Sequence, residues 1–158
     1  MPNIKYVGKN LFIEKFTYIL EKDYKPKKII EVGSGNSTLM AIMAIEKNKT
    51  EDTNYNCEHT CIEPYEMPWL EKTDVSVLRK KVEDVEIDFF LQLEENDILF
   101  IDSSHIIRPH GDVTHELLDL LPKLNKGVFV HFHDIFSPND YPYEWLFQHM
   151  RFWNEQYL

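Results

Sequence analysis

The sequence predicts an α/β protein built on a doubly wound, mostly parallel sheet. Three observations lead to it. Short apolar runs alternate with longer amphipathic stretches along the chain. Two glycines, Gly33 and Gly35, sit between the end of one apolar run and the start of a helical one. Polar residues gather at the carboxyl ends of the apolar runs: Glu31, Glu63, Asp102 and His133-Asp134. Strand–helix alternation puts helices on both faces of a parallel sheet, and ligands in such sheets bind beyond the carboxyl ends of the strands.

The elements follow in order. Leu11, Phe12, Phe16, Ile19 and Leu20 recur at helical spacing, so Leu11 to Glu21 is read as a helix, broken by Lys25-Pro26-Lys27. Lys28 to Val32 is the first strand, and Asn36 or Ser37 caps a helix over Thr38 to Lys47. Lys49 to Glu58 is polar and is read as a loop. Thr60 to Glu63 is the second strand, stopped by Pro64. A short helix over Met67 to Lys72 and a third strand over Val75 to Val82 come next. Glu86 to Leu93 is read as a helix and Asp97 to Asp102 as the fourth strand. Pro109 to Leu121 is a helix, with Pro122 and Gly127 bracketing the turn. Gly127 to His133 is the fifth strand, and Tyr143 to Phe152 the last helix.

Composition narrows the function. The 158 residues are 43% apolar, enough for one folded domain with a real core. The net charge of -10 argues against a nucleic-acid track and against an anionic membrane surface. No apolar run reaches the roughly 18 residues needed to span a bilayer. The N-terminus, Met1-Pro2-Asn3-Ile4-Lys5, has no apolar leader, so a cytoplasmic protein is expected. Cys57 and Cys61 flank His59; a zinc site there lacks a fourth ligand at a recognised spacing, and two reduced thiols are the simpler reading.

The glycine loop is where chemistry enters. Glycine turns the chain sharply and lets backbone approach a ligand, and the helix start offers free N–H groups. A dinucleotide, a mononucleotide or S-adenosylmethionine could use such a loop. The dinucleotide fingerprint requires glycine where Thr38 stands, and a phosphate-binding Gly-Lys-Ser/Thr is absent. Glu63, at the tip of the second strand, is placed to accept both hydroxyls of a ribose. Glu31 could hold a cationic amino group.

Ile29 to Leu39, reading IIEVGSGNSTL, resembles the first motif of class I S-adenosylmethionine-dependent methyltransferases. Cys61-Ile62-Glu63-Pro64-Tyr65 resembles their second motif. Asp97 to Trp145 is similar to a family of small bacterial methyltransferases with a strand-end IDSSH and a later HDIF…DYP. The resemblance covers roughly residues 27 to 158. It implies a Rossmann-like sheet of order 3-2-1-4-5, with two further strands not accounted for by this chain. Residues 1–158 then form a single S-adenosylmethionine-binding domain, incomplete at its C-terminal end. It also implies that Glu31, Gly33, Ser34, Gly35, Ser37 and Thr38 line the methionine end, that Glu63 binds the ribose, and that Glu83 or Asp84 lies near the adenine. Asp102 is counted with both the cofactor-binding and the reacting groups.

Neighbouring strand tips lie about 5 Å apart, so Asp102, His133 and Asp134 are expected to converge, with His105 close by. In one reading Asp102, His133 and Asp134 hold a divalent cation that deprotonates a hydroxyl. This resembles metal-dependent O-methyltransferases, with His133-Asp134 standing where those have Asp-Asn. In the other reading no metal binds, and His105 or His133 is the general base. A third possibility is that the groups only tie loops together. His131 shares strand parity with His133 and is expected to be packed. Asp140-Tyr141-Pro142 is expected as a turn at the pocket rim, and Trp145, Phe152 and Trp153 as core or interface.

A five-stranded sheet would leave the fifth strand, with Val128 and Val130, as an exposed edge. A partner subunit, as in a homodimer, or a missing C-terminal segment is expected to cover it. The expected function is O-methylation of a small hydroxylated or sugar-like acceptor. The alternatives are a non-catalytic interaction module with the cofactor fold, and a nucleotide-sugar or dinucleotide enzyme.

Overall fold

The computed structural model describes residues 24–158; the helix expected over Leu11 to Glu21 lies outside them. Five strands form one all-parallel sheet: β1 (Lys28–Val32), β2 (Glu58–Ile62), β3 (Ser76–Leu78), β4 (Ile98–Ile101) and β5 (Phe129–Phe132). Their order is β3-β2-β1-β4-β5, as the sequence predicts. The reversal of direction between β1 and β4 makes the crevice at their carboxyl ends the expected ligand site.

The central strands are apolar on both faces because both faces are covered. Ile30, Val32, Ile62, Leu99, Ile101 and Val130 build one core with Phe90, Leu93 and Leu120. On the other face Ile29, Ile98 and Phe100 pack on Ala41, Ala44 and Ile45 of helix α1 (Asn36–Glu51). The small alanines let α1 lie close to the sheet. Its start is not capped by Asn36 or Ser37: Gly35 occupies the N-cap, and the helix runs on to Glu51. Part of the expected loop is therefore helix. Asn48, fully buried, extends the inward face by a turn, and the Asp52 N–H closes on its carbonyl.

Other segments are shorter than the sequence suggests. The third strand stops at Leu78, where Arg79-Lys80-Lys81 ends the apolar alternation, and Val82–Asp84 is a 3-10 turn. The expected helix at Met67 to Lys72 is one 3-10 turn, Leu70–Lys72. The next helix, α2, covers only Ile87–Phe90. Helix α3 begins at Asp112–Thr114, continues as a π-helix over His115–Leu120, and ends in the 3-10 turn Leu121–Lys123 around Pro122. The last helix, α4, is Tyr143–Phe147. Beyond it the chain returns to the site through the 3-10 turn Glu155–Tyr157. No helix among the described residues is long and apolar enough to cross a membrane.

Two devices hold the sheet ends in register. At the amino ends, the buried Asp97 carboxylate accepts the Lys27 and Lys28 N–H groups at 3.0 and 2.9 Å, tying β1 to β4. At the carboxyl ends the ladder runs one residue past each strand. Gly33 N–H donates to the Ile62 carbonyl, Glu63 to Leu78, Asp102 to Val32, and His133 to Ile101. The four tips are thus fixed relative to one another by backbone hydrogen bonds.

β3 and β5 are the two sheet edges among the described residues, β5 as expected. The side chains of Val130 in β5 and of Val128 just before it are buried in the core.

Gly33 has a positive φ of 90°, and a Cβ there would lie 2.5 Å from the Asp102 carbonyl oxygen. Gly35 is extended, and a Cβ on it would meet nothing within 4 Å. Gly33→Ala is therefore expected to cost about 3 kcal/mol from backbone strain and overlap. Gly35→Ala should change stability by less than about 0.5 kcal/mol. Urea denaturation of the two variants checks this.

Candidate functional site

The strand tips open onto a cleft of about 340 Å³, a size at the lower end of small-molecule sites. Val32 and Gly33 line it from β1, Ile62 and Glu63 from β2, and Asp102, Ser103 and Ser104 from the loop after β4. Lys81, Glu83, Arg108 and Asp112 close its sides. From the glycine loop only Gly33 lines the cleft; Ser34 and Gly35, also expected there, are not among the lining residues.

Glu63 is only 5% exposed, so its carboxylate must be satisfied from within. Ser34 Oγ donates to Oε2 at 2.8 Å, and the Tyr65 N–H donates to Oε1 at 3.1 Å. Glu83 also reaches the cleft, with Arg108 3.9 Å away. Asp84 is exposed and does not line the cleft.

Three residues expected at the methionine end have other placements. Glu31 is fully buried under α1 and pairs with His59 Nε2 at 2.8 Å, with Cys61 Sγ 3.2 Å away. It lies inside the ladder, opposite Cys61 and Phe100, so its side chain stands perpendicular to the sheet and misses the cleft. Thr38 is also fully buried, and its hydroxyl accepts the Gly35 N–H at 3.0 Å. It braces the loop from behind. Ser37 is not among the residues that line the cleft.

Asp102 is the reacting-end acid that does reach the cleft, with its side chain 41% exposed. Its Oδ1 lies 3.1 Å from His105 Nε2. The other ring nitrogen, Nδ1, is 2.8 Å from Oε2 of buried Glu155. His105 is thus clamped between two carboxylates with Trp153 packed on its ring at 4.2 Å. Burial opposes its charge, but the hydrogen bonds to Asp102 and Glu155 outweigh it and raise its pKa to about 9. Asp102 is shifted downward: burial pushes up, and the His105 hydrogen bond with the nearby His133 pulls further down. A protonated imidazole with both N–H groups engaged is not a free general base, which corrects that expectation for His105.

His133 and Asp134 follow β5, with His133 Nε2 3.5 Å from Asp134 Oδ1. Neither lines the cleft. His131 is stacked on Phe100 at 4.8 Å, and burial with His133 nearby lowers its pKa to about 3, so it is neutral. Asp102, His133 and Asp134 do not form the expected metal trio. Among the described residues, the metal-capable group whose donor atoms all lie within 4.8 Å of one another is Glu31, His59 and Cys61.

Sequence reasoning missed several groups. Asp112 accepts both the Ser104 N–H and the Ser104 hydroxyl, at 2.9 and 2.8 Å. Glu116, fully buried, accepts from Ser103 Oγ at 2.9 Å, and burial raises its pKa to about 8. Ser103 and Ser104 stand in the IDSSH stretch and could have been singled out. Glu155 lies in the aromatic tail 50 positions from His105 and carries no sequence signal for its role. In that tail half-buried Trp145 and Trp153 pack edge to face at 5.2 Å outside the two core clusters, and Phe152 is exposed. Residues 140–142 form no turn; the turn lies just before them, closed by the Asn139 N–H on the Phe136 carbonyl.

Residues 30–135 match the family model described as "Methyltransferase domain". The chain belongs to that methyltransferase family. An uncharacterized protein of Archaeoglobus fulgidus is 35% identical over 88 residues. That match covers 52% of this chain and 37% of the relative, so the chain corresponds to well under half of the relative's length. No solved structure matches. Every strand tip that shapes the cleft falls inside the matched span.

The clamp makes stability depend on pH. His105 is raised above its ordinary value of 6.5, so its contribution is complete below about pH 6.5 and is lost as pH rises through about 9. Glu116, raised from 4.5 to about 8, weakens the fold in the same direction over a lower range. The His105 part is worth about 3 kcal/mol at one pKa unit per 1.36 kcal/mol. Unfolding midpoints measured from neutral pH to about pH 9 should fall, and His105→Gln should flatten the alkaline part of that fall.

Proposed function

We propose that this methyltransferase binds S-adenosylmethionine in the cleft at Gly33, Glu63 and Asp102, and methylates a hydroxyl of a small hydroxylated or sugar-like acceptor. The observation that carries this reading is the charge of the cleft. Four carboxylates line it, those of Glu63, Glu83, Asp102 and Asp112, against two cations. One of the cations, Arg108, is already within 3.9 Å of Glu83 and 3.5 Å of Asp112. Such a wall favours a ligand that is cationic and rich in hydroxyl donors and disfavours the phosphates of a dinucleotide or nucleotide sugar.

The residues fit the cofactor. The open space at Gly35 gives room beside the loop, and the buried Glu63 carboxylate is an acceptor for two ribose hydroxyls. Glu63 and Glu83 would hold the nucleoside end. Asp102, kept ionised by His105, would face the cationic end. The bound cofactor supplies a methyl group on a positively charged sulfur; the chain supplies alignment. His133 lies beside Asp134 and within electrostatic reach of Asp102 but outside the cleft lining, so it would have to turn toward the cleft to take the acceptor's proton.

Titration calorimetry separates the readings. S-adenosylhomocysteine should bind, and NAD and a nucleotide sugar should not. Glu63→Gln should weaken S-adenosylhomocysteine binding at least about tenfold, the loss of roughly one charge-assisted hydrogen bond. Binding of NAD in preference to S-adenosylhomocysteine would sink the proposal. Cofactor binding without turnover on any hydroxylated acceptor would favour the interaction-module reading.

A further inference from the structure

The sheet carries a second polar assembly that the cleft does not use. Glu31 of β1 and His59 and Cys61 of β2 meet on the face beneath α1. They are 0%, 7% and 0% exposed. Glu31 Oε2 is 2.8 Å from His59 Nε2 and 3.2 Å from Cys61 Sγ, and that sulfur is 4.0 Å from the imidazole nitrogen. Strand parity explains the meeting. Glu31 pairs with Cys61 across the ladder, and His59 stands two residues earlier on the same face.

We propose that Glu31, His59 and Cys61 form a buried zinc site behind the glycine loop. The donor set fits zinc. One thiolate, one imidazole and one carboxylate suit a borderline-soft cation better than magnesium or calcium. The spacing fits as well. Zinc–ligand bonds of about 2.0 to 2.3 Å imply tetrahedral edges of roughly 3.4 to 3.6 Å, and each of the three separations lies about half an ångström from that.

The charge balances too. A carboxylate and a thiolate neutralise a dication, and the Cys61 proton is released to solvent on binding. Without a cation the three donor atoms, Glu31 Oε2, His59 Nε2 and Cys61 Sγ, have only one another as partners apart from the weak contact of Cys61 Sγ with Thr38. The cluster itself supplies three of the four ligands of a tetrahedral site.

The site would bear on the loop in front of it. Thr38 Oγ1 lies 3.9 Å from Cys61 Sγ and holds the Gly35 N–H. A metal joining β1 to β2 here fixes the support on which the loop rests. Cys57, in the same segment, lies outside the cluster, with its thiol on the Glu58 carbonyl.

The test uses the full chain, purified without a polyhistidine tag and without chelator. Zinc content by mass spectrometry should approach one ion per chain. Competition with a chromogenic chelator should give an affinity that falls at least about tenfold in Cys61→Ser and His59→Gln but not in Cys57→Ser or Asp102→Asn. Cobalt exchanged into the parent chain should show a thiolate-to-cobalt charge-transfer band. That spectrum needs no variant to fold. A parent chain that binds no zinc, a cobalt form without the band, or unchanged affinity in folded Cys61→Ser would overturn the proposal. So would loss of zinc in Asp102→Asn, which would put the ion in the cleft.

Discussion

The missing side chain at Gly33 is the constraint on which the site depends. The Asp102 carbonyl occupies the place where a Cβ would stand. That close approach lets β1 and β4 stay hydrogen-bonded one residue beyond their ends, through Asp102 N–H to Val32. The same residue turns the chain with a positive φ and donates its own N–H to β2. One position therefore joins three neighbouring strand tips. The Asp102 side chain is aimed into the cleft because its backbone is held against Gly33. Glu63 is aimed there because the ladder to β3 continues through its own N–H. The glycine does not merely admit a ligand; it lets the protein bring its own acids to the place where a ligand would lie.

The parallel sheet and the strand-tip acids were legible in the sequence because both follow from simple periodicities, whereas the strand order came with the family resemblance. Apolar runs of strand length are hard to bury in any way other than a covered parallel sheet. Glu63 and Asp102 each come directly after the last ladder residue, so their side chains leave the sheet's end. Glu31 looked like a third member of that set. It comes two residues before the equivalent position, which Gly33 holds, so it lies inside the ladder and under α1 beside His59 and Cys61. Two residues of strand length separate a cleft acid from a buried one, and strand ends shift by that much between sequence and structure. The short helices failed for a related reason. Propensity sees apolar spacing over Tyr143 to Phe152 and over Pro109 to Leu121. It does not see that the tail must turn back at Gln148 to reach His105, or that the helix after Gly111 widens into a π-helix.

The return of the tail is also what gives the reacting end its character. A carboxylate at a strand tip facing solvent would be mobile and could titrate freely. Asp102 is instead hydrogen-bonded to a buried imidazolium, and that imidazolium is stabilised from behind by Glu155. Desolvating two carboxylates and a histidine is costly unless the three are mutually hydrogen-bonded. Removing Glu155 would leave His105 buried with one partner and favour its neutral form, so Asp102 would lose the proton donor that keeps it ionised and oriented. A residue near the chain's end thus sets the charge of a group at the centre of the sheet without touching the cleft. Methyl transfer asks the protein chiefly for alignment, and alignment needs fixed charges more than strong bases. The clamp meets that need by holding the acid in one place and one protonation state.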